Sequence, residues 1–158
     1  MQVLDTVQNL PKFRPVTDPA EILRQNEIPI TAQRLAVMRA VTTCPHSTAE
    51  TIAEEVRSRI GTISRQAVYD ALGMFAKKGL IRRIQPAGSP ALFEDRVGDN
   101  HHHAICRSCG QTTDVDCALG ATPCLDTSQQ NGFQIDEAEV IYWGTCAACQ
   151  SKSNHLIS

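Results

Sequence analysis

Two Cys-x-x-Cys pairs, Cys106/Cys109 and Cys146/Cys149, stand 36 residues apart, and no other feature of this chain constrains its fold as strongly. Thiolates at this spacing share one tetrahedral ion, and four sulfurs in a closed set describe a structural zinc site. The chain must therefore bring two distant segments to one point. With 158 residues it can hold one average domain or two small ones. The remaining cysteines, Cys44, Cys117 and Cys124, follow no ligand spacing and read as small buried or half-buried apolar residues.

The same quartet speaks against enzymes. Four closed thiolates leave no open position for a reactive water. A zinc deaminase would need His-x-Glu ahead of Pro-Cys-x-x-Cys, and a thioredoxin-like enzyme a βαβ context; the sequence has neither. No stretch approaches the length of a membrane span, and the N-terminus has no apolar core of signal-peptide length. The expected location is the cytoplasm, where cysteines at this spacing bind metal rather than form disulfides.

Upstream, helix signals follow one another closely. Asp18-Pro19 opens a short helix over 19–26, and Thr31 caps a second running to about residue 43. Ser47-Thr48-Ala49-Glu50 reads as a capping box, after which Ile52, Ala53, Val56 and Ile60 face one side. Ser64 caps a fourth helix, in which Ala67, Val68, Ala71, Leu72 and Phe75 recur at helical spacing, and Gly79 stops it. Residues 80–85 and 91–95 then form a hairpin around a Pro-bounded turn. Helices followed by a hairpin make a winged helix-turn-helix.

The formal charge of −2 hides a division of labour. Residues 1–96 carry 13 Lys/Arg against 10 Asp/Glu, whereas residues 97–158 carry 2 against 7. The expected organisation is a leader or arm at 1–17, a winged-helix domain at 18–95 and a hinge at 96–100. A small α/β dimerisation domain with structural zinc at 101–150 and a tail at 151–158 complete an α+β protein. Strands are expected at 101–106, 112–115 and 140–145, with a helix near 123–132.

The fourth helix is polar at its start, where Arg65, Gln66 and Tyr69 can read base edges in the major groove. Lys77, Arg82, Arg83 and Arg34 flank that surface as candidate phosphate contacts, with Lys78 beside them. Asp70 is the unfavourable charge there. In the second part, strand alternation sends His101 and His103 to one face and His102 to the other. Two imidazoles are half a metal site. His46 and Glu94 are the best-placed partners from the first domain, with Asp114 as a further candidate. Such a nitrogen and oxygen set suits Fe²⁺, Mn²⁺, Co²⁺, Ni²⁺ or Zn²⁺ and would bridge the two domains.

Four stretches together resemble the Fur (ferric uptake regulator) family over roughly residues 20–150. They are Ile30-Thr31-Ala32-Gln33-Arg34; Ser64-Arg65-Gln66-Ala67-Val68-Tyr69; the run from His101-His102-His103 through Cys106-Arg107-Ser108-Cys109-Gly110; and Tyr142-Trp143-Gly144-Thr145-Cys146-Ala147-Ala148-Cys149. Ser64–Tyr69, Val97-Gly98-Asp99-Asn100 with the His triplet, and Asp136–Gly144 are most similar to the actinobacterial branch linked to catalase-peroxidase. The resemblance implies a homodimeric, metal-dependent and redox-responsive repressor of an oxidative-stress (catalase-peroxidase) operon and of its own gene. It places structural zinc on Cys106, Cys109, Cys146 and Cys149, and a regulatory Fe²⁺ or other divalent ion (Mn²⁺ or Zn²⁺) on His46, Glu94, His101 and His103. It implies Tyr69 as a base contact and double-stranded operator DNA as the partner. A third metal site found in some members is not expected, because Asn100 and Ala138 replace its histidines. Glu94 is the choice of iron-level regulators, so iron uptake is the alternative signal. A zinc-ribbon adaptor that binds protein rather than DNA is the remote one.

Overall fold

The computed structural model describes residues 18–99, 101–116, 132–134 and 139–154. The leader at 1–17, Cys117, Cys124, Asn100, Ala138 and all but Gly132 of the helix expected near 123–132 lie outside them.

Helix α1 spans Pro19–Gln25, with Asp18 as N-cap accepting from the Ala20 N–H and Pro at the first helical position. Helix α2, Ala32–Thr43, begins where the Thr31 hydroxyl accepts from the Arg34 N–H, and it ends at Cys44 ahead of Pro45. Helix α3 covers Ala49–Ile60, but its cap is Thr48, whose hydroxyl accepts from the Thr51 N–H. The capping box expected on Ser47 and Glu50 is therefore not formed. Ser47 is committed elsewhere: Ser47–Thr48 is a short strand, β1, whose pairing moves the helix start one residue on. Ile60, expected on the core face, is exposed in the last turn of α3 before Gly61.

Helix α4, Arg65–Lys77, is capped by Ser64 and buries Val68, Ala71, Leu72 and Phe75. Gly79 follows at φ +68°, a left-handed conformation that glycine adopts without penalty. Strands β2, Arg82–Ile84, and β3, Leu92–Glu94, form the hairpin, and β1 adds to its other edge in the order β1-β3-β2. This is a winged helix-turn-helix. One apolar cluster, from Leu23 to Phe93, holds it together.

The second sheet contains β4, His101–Cys106, β5, Thr112–Asp116, and β6, Ile141–Gly144, in the order β5-β4-β6. Strand β4 runs antiparallel to β5 and parallel to β6. A final helix, α5, spans Ala147–Asn154 directly after Cys146 and runs on past residue 151, where the tail was expected to begin. Among the described residues of this half, the buried apolar side chains are Ile105 and Cys106, while His101, His102 and His103 are buried as well. An interior made of imidazoles and sulfur cannot rely on apolar burial for its stability.

Candidate metal centres and nucleic-acid interface

The four paired cysteines meet. Strand β4 delivers Cys106 at its end, the turn after it Cys109, the residue just before α5 is Cys146, and the first turn of α5 carries Cys149. Their sulfurs all lie within 4.8 Å of one another, and Cys109 Sγ is 3.7 Å from Cys146 Sγ. A tetrahedral ion with Zn–S bonds of about 2.3 Å would set its sulfurs about 3.8 Å apart, so the quartet fits zinc. The Cys146 N–H donates to Cys106 Sγ at 3.3 Å. That N–H and the one of Cys109 lower the Cys106 thiol to about 6, so it carries thiolate character near neutral pH. Cys149 is pushed up to about 12, first by hydrogen bonding with Cys146 and then with Cys109, which holds its thiol protonated, and least by repulsion from the Cys106 thiolate. A cation at the centre relieves that repulsion. Arg107, inside the first pair, lies with Cζ 5.2 Å from the Trp143 ring centroid and donates its backbone N–H to Gly144 O at 2.8 Å. These two contacts tie the first pair to the strand that leads to the second.

A second cluster sits where the two halves touch. His103 and Asp114 are direct cross-strand partners on β4 and β5, which places both side chains on one face. Glu94 ends β3: Phe93 turns into the helical core, and strand alternation turns Glu94 the other way, toward the histidines. His46 comes from the bend between α2 and β1 at φ +57°, a conformation uncommon outside glycine, which turns its ring inward. Ligand atoms of His46, Glu94, His103 and Asp114 all lie within 4.8 Å of one another.

The separations bracket those of donors around a shared ion. His46 Nε2 is 2.9 Å from Glu94 Oε2 and 2.7 Å from Asp114 Oδ1; His103 Nε2 is 3.4 Å from Glu94 Oε1 and 3.8 Å from Asp114 Oδ1. Donors about 2.1 Å from one ion stand about 3.0–3.4 Å apart in octahedral or tetrahedral arrangement, so the set fits a divalent cation. His101 Nε2 is 2.9 Å from Glu94 Oε1 and 4.0 Å from Asp114 Oδ1, at the margin of the tight set. The structure thus gathers Asp114, the further candidate, more closely than His101. His103 Nδ1 is buried with no hydrogen-bond partner.

Charge is balanced internally without a metal. Burial works to raise the Glu94 pKa, but hydrogen bonds from His103 and His46 outweigh it and hold the carboxyl well below the usual range. His46 is raised, chiefly by its hydrogen bond to Glu94 and against the effect of burial. Two residues that sequence reasoning passed over stand behind the cluster. Arg96, in the expected hinge, contacts Asp99, Asp114 and Asp116, and Asp99 contacts His101. The sequence marks Asp99 only within the Val97–Asn100 stretch of the resemblance and Arg96 only as the start of the hinge; their i,i+3 spacing with Gly98 between was a further signal.

The candidate DNA surface is more self-engaged than the sequence suggests. Arg65 pairs with Glu50 at 3.2 Å, and Gln66 Nε2 donates to Asp70 Oδ1 at 2.7 Å. Arg34 donates to Pro29 O at 2.7 Å, and Arg83 to Gln85 Oε1 at 2.8 Å. Lys78 donates to Asn26 O at the end of α1, so it serves the helix packing. Tyr69 is half exposed, Lys77 exposed and Arg82 half-buried. Tyr69, Leu72, Gly73, Arg83, Ala91 and Phe93 line a groove of about 590 Å³ between α4 and the wing.

A family model described as the ferric uptake regulator family matches residues 25–143. The transcriptional regulator FurA of Mycobacterium tuberculosis is 54% identical over 134 residues, covering 85% of this chain and 91% of that protein. The peroxide operon regulator of Bacillus subtilis is 30% identical over 141 residues, covering 85% of this chain and 93% of its own. Among solved structures, the ferric uptake regulator of Vibrio cholerae, described with rearranged DNA-binding domains, superposes with a TM-score of 0.67. It is 21% identical, and the match covers 82% of this chain and all of that one.

Proposed function

This chain belongs to the ferric uptake regulator family, and from that premise we propose that it represses transcription by binding operator DNA as a homodimer when its junction site holds a divalent metal. The observation that carries the reading is the His46–Glu94–His103–Asp114 cluster, with two members from the winged-helix half and two from the second sheet. A divalent ion there supplies positive charge that the Glu94 and Asp114 carboxylates share. The two carboxylates and the facing imidazoles then hold the halves in one relation, which sets the spacing of two recognition helices in a dimer. His101 completes the regulatory set from its place beside Glu94. Structural zinc belongs to Cys106, Cys109, Cys146 and Cys149.

Base reading falls to Arg65, Gln66 and Tyr69, and phosphate neutralisation to Arg34, Lys77, Arg82 and Arg83. Of these, Tyr69 is the first to consider, because it stands half exposed on the groove beside the wing. Arg65 and Gln66 must exchange Glu50 and Asp70 for DNA before they can read it. The domain division at 18–95 and 101–150 follows the two sheets. The relatives named above are regulators of transcription rather than enzymes, and among the described residues no helix is long and apolar enough to cross a membrane. The cytoplasm is the location that DNA binding requires.

The relative named for a peroxide operon supports a redox signal, and the target we infer from the sequence resemblance is an oxidative-stress (catalase-peroxidase) operon together with the protein's own gene. Thiolates that hold zinc are themselves oxidisable, which gives one route from peroxide to loss of structure. Iron level is the second reading, favoured by Glu94 at its position.

The test is a gel-shift titration of the duplex upstream of its own gene, with Mn²⁺ or after chelation. Wild-type protein should bind at least tenfold more tightly with Mn²⁺. His101→Ala/His103→Ala should keep its fold and lose that metal dependence. Wild-type binding that is equal with and without metal overturns the proposal.

A further inference from the structure

Behind the junction cluster, a second layer of charge holds two of its members. Gly98 turns the connector at φ +77°, and the bend returns Asp99 to Arg96, whose Nε donates to Asp99 Oδ2 at 2.7 Å. The same guanidinium donates from Nη1 to Asp114 Oδ2 at 3.1 Å and from Nη2 to Asp116 Oδ1 at 2.6 Å. Asp99 is shared in turn: its Oδ1 lies 2.8 Å from His101 Nδ1, while His101 Nε2 faces Glu94 at 2.9 Å. Asp114 is divided the same way, with Oδ2 on Arg96 and Oδ1 2.7 Å from His46 Nε2.

We propose that Arg96 and Asp99 are positioning residues of the junction site: Asp99 keeps the His101 proton on Nδ1 and so presents Nε2 to the metal, while Arg96 anchors Asp99 and the outer oxygen of Asp114. The inference rests on the metal reading given above. A neutral imidazole carries one proton for two nitrogens, and the partner of one nitrogen decides which of them ligates. The His101 side chain is fully buried, so no water competes with Asp99 for Nδ1. Arg96 is suited to its part because a planar fork with five N–H groups serves three carboxylates at once, which a lysine ammonium on a flexible stem does not reproduce. With Oδ2 of Asp114 engaged, Oδ1 is the oxygen offered to the site. The arrangement also draws strand β5 toward the connector through Asp114 and Asp116, at the joint where His46 meets Asp114.

Asp99 and Arg96 are partly exposed to solvent, and ion pairs of that kind add little to folding. A positioning role therefore shows in metal affinity rather than in the melting transition. The experiment measures Mn²⁺ affinity by electron paramagnetic resonance on the full chain with its cysteine zinc retained, alongside the melt. It also reads the ¹⁵N shifts of the His101 ring in protein carrying Zn²⁺ at the junction. Asp99→Ala should weaken Mn²⁺ binding by about 10–100-fold, the range typical of outer-layer partners. Asp99→Asn should recover most of the loss, because its Oδ1 still accepts from Nδ1–H. Arg96→Ala should weaken binding, and Arg96→Lys should restore it only in part. In wild type the ring should show a protonated Nδ1 and a ligating Nε2. Asp99→Ala binding Mn²⁺ within twofold of wild type overturns the inference, as does a wild-type ring ligating through Nδ1. Wild-type protein that binds no Mn²⁺ beyond its zinc overturns the metal reading beneath it and the inference with it. Should Asp99→Ala fail to fold, Asp99→Asn and the wild-type shifts decide, and an Asn variant more than tenfold weaker counts against the role.

Discussion

Glu94 shows how one residue ties the helical core to the second sheet. Its neighbour Phe93 is built into the apolar cluster, yet Glu94 is itself 1% exposed and meets three imidazoles. Removing it would take away the buried carboxylate that the three rings share, leaving His46 on Asp114 and His101 on Asp99, at a cost of about 1–3 kcal/mol. The pKa directions set the pH dependence of protein without metal at the junction. Glu94 is depressed, so its contribution is full above its ordinary 4.5 and is lost as the pH falls through its depressed folded value. His46 is raised, so its contribution is full below its ordinary 6.5 and is lost as the pH rises through its raised value. The urea midpoint of protein that keeps its cysteine zinc but carries no metal at the junction should therefore be highest between about 4.5 and 6.5 and fall on both sides. A midpoint that climbs steadily to pH 8 would show that these contacts do not govern it.

At the scale of elements, the start of α3 separates local signal from tertiary demand. Ser-Thr-Ala-Glu satisfies the spacing of a capping box from Ser47, but Thr48, which would then be the first helical residue, is held extended by pairing with Leu92 of β3. The cap passes to Thr48. Thr48→Ala should cost about 1 kcal/mol in chemical denaturation, and Ser47→Ala a few tenths at most; equal losses would restore the capping box. The other helix starts, Asp18, Thr31 and Ser64, cap where local spacing places them, because nothing distant competes for them. Helix α5 had no legible signal. It is polar, its first turn carries Cys149 of the cysteine quartet, and amphipathic periodicity does not mark it.

For the molecule as a whole, stability is divided unequally. The winged-helix half has a continuous apolar core from Leu23 to Phe93, whereas the described interior of the second half is largely histidine and cysteine. Its fold should depend on metal. Cys106→Ser removes the thiol that is lowered to about 6 and the acceptor of the Cys146 N–H. Zinc content should fall from one equivalent toward zero, with loss of the Trp143 fluorescence signature and of dimerisation. Most helical circular dichroism should survive, since α1 to α4 lie outside the affected half. A stable dimer lacking that zinc would refute a structural role.

Helices α1 to α4, the hairpin, the strand positions of β4 to β6 and the cysteine quartet were all determined by the sequence alone. Each depends on caps, periodicity or ligand spacing held within a few residues or within a short repeated motif. Only the tertiary structure decided that Asp114 stands nearer the junction cluster than His101, that Arg96 and Asp99 back it, and that β1 exists. Those outcomes depend on the β4–β5 register and on the meeting of residues 46, 94, 103 and 114, which no local window contains. Their energies are sums over distant partners. The charge split around residue 96 marks where the two halves join, but the contacts that make this junction a site exist only once both sheets have formed.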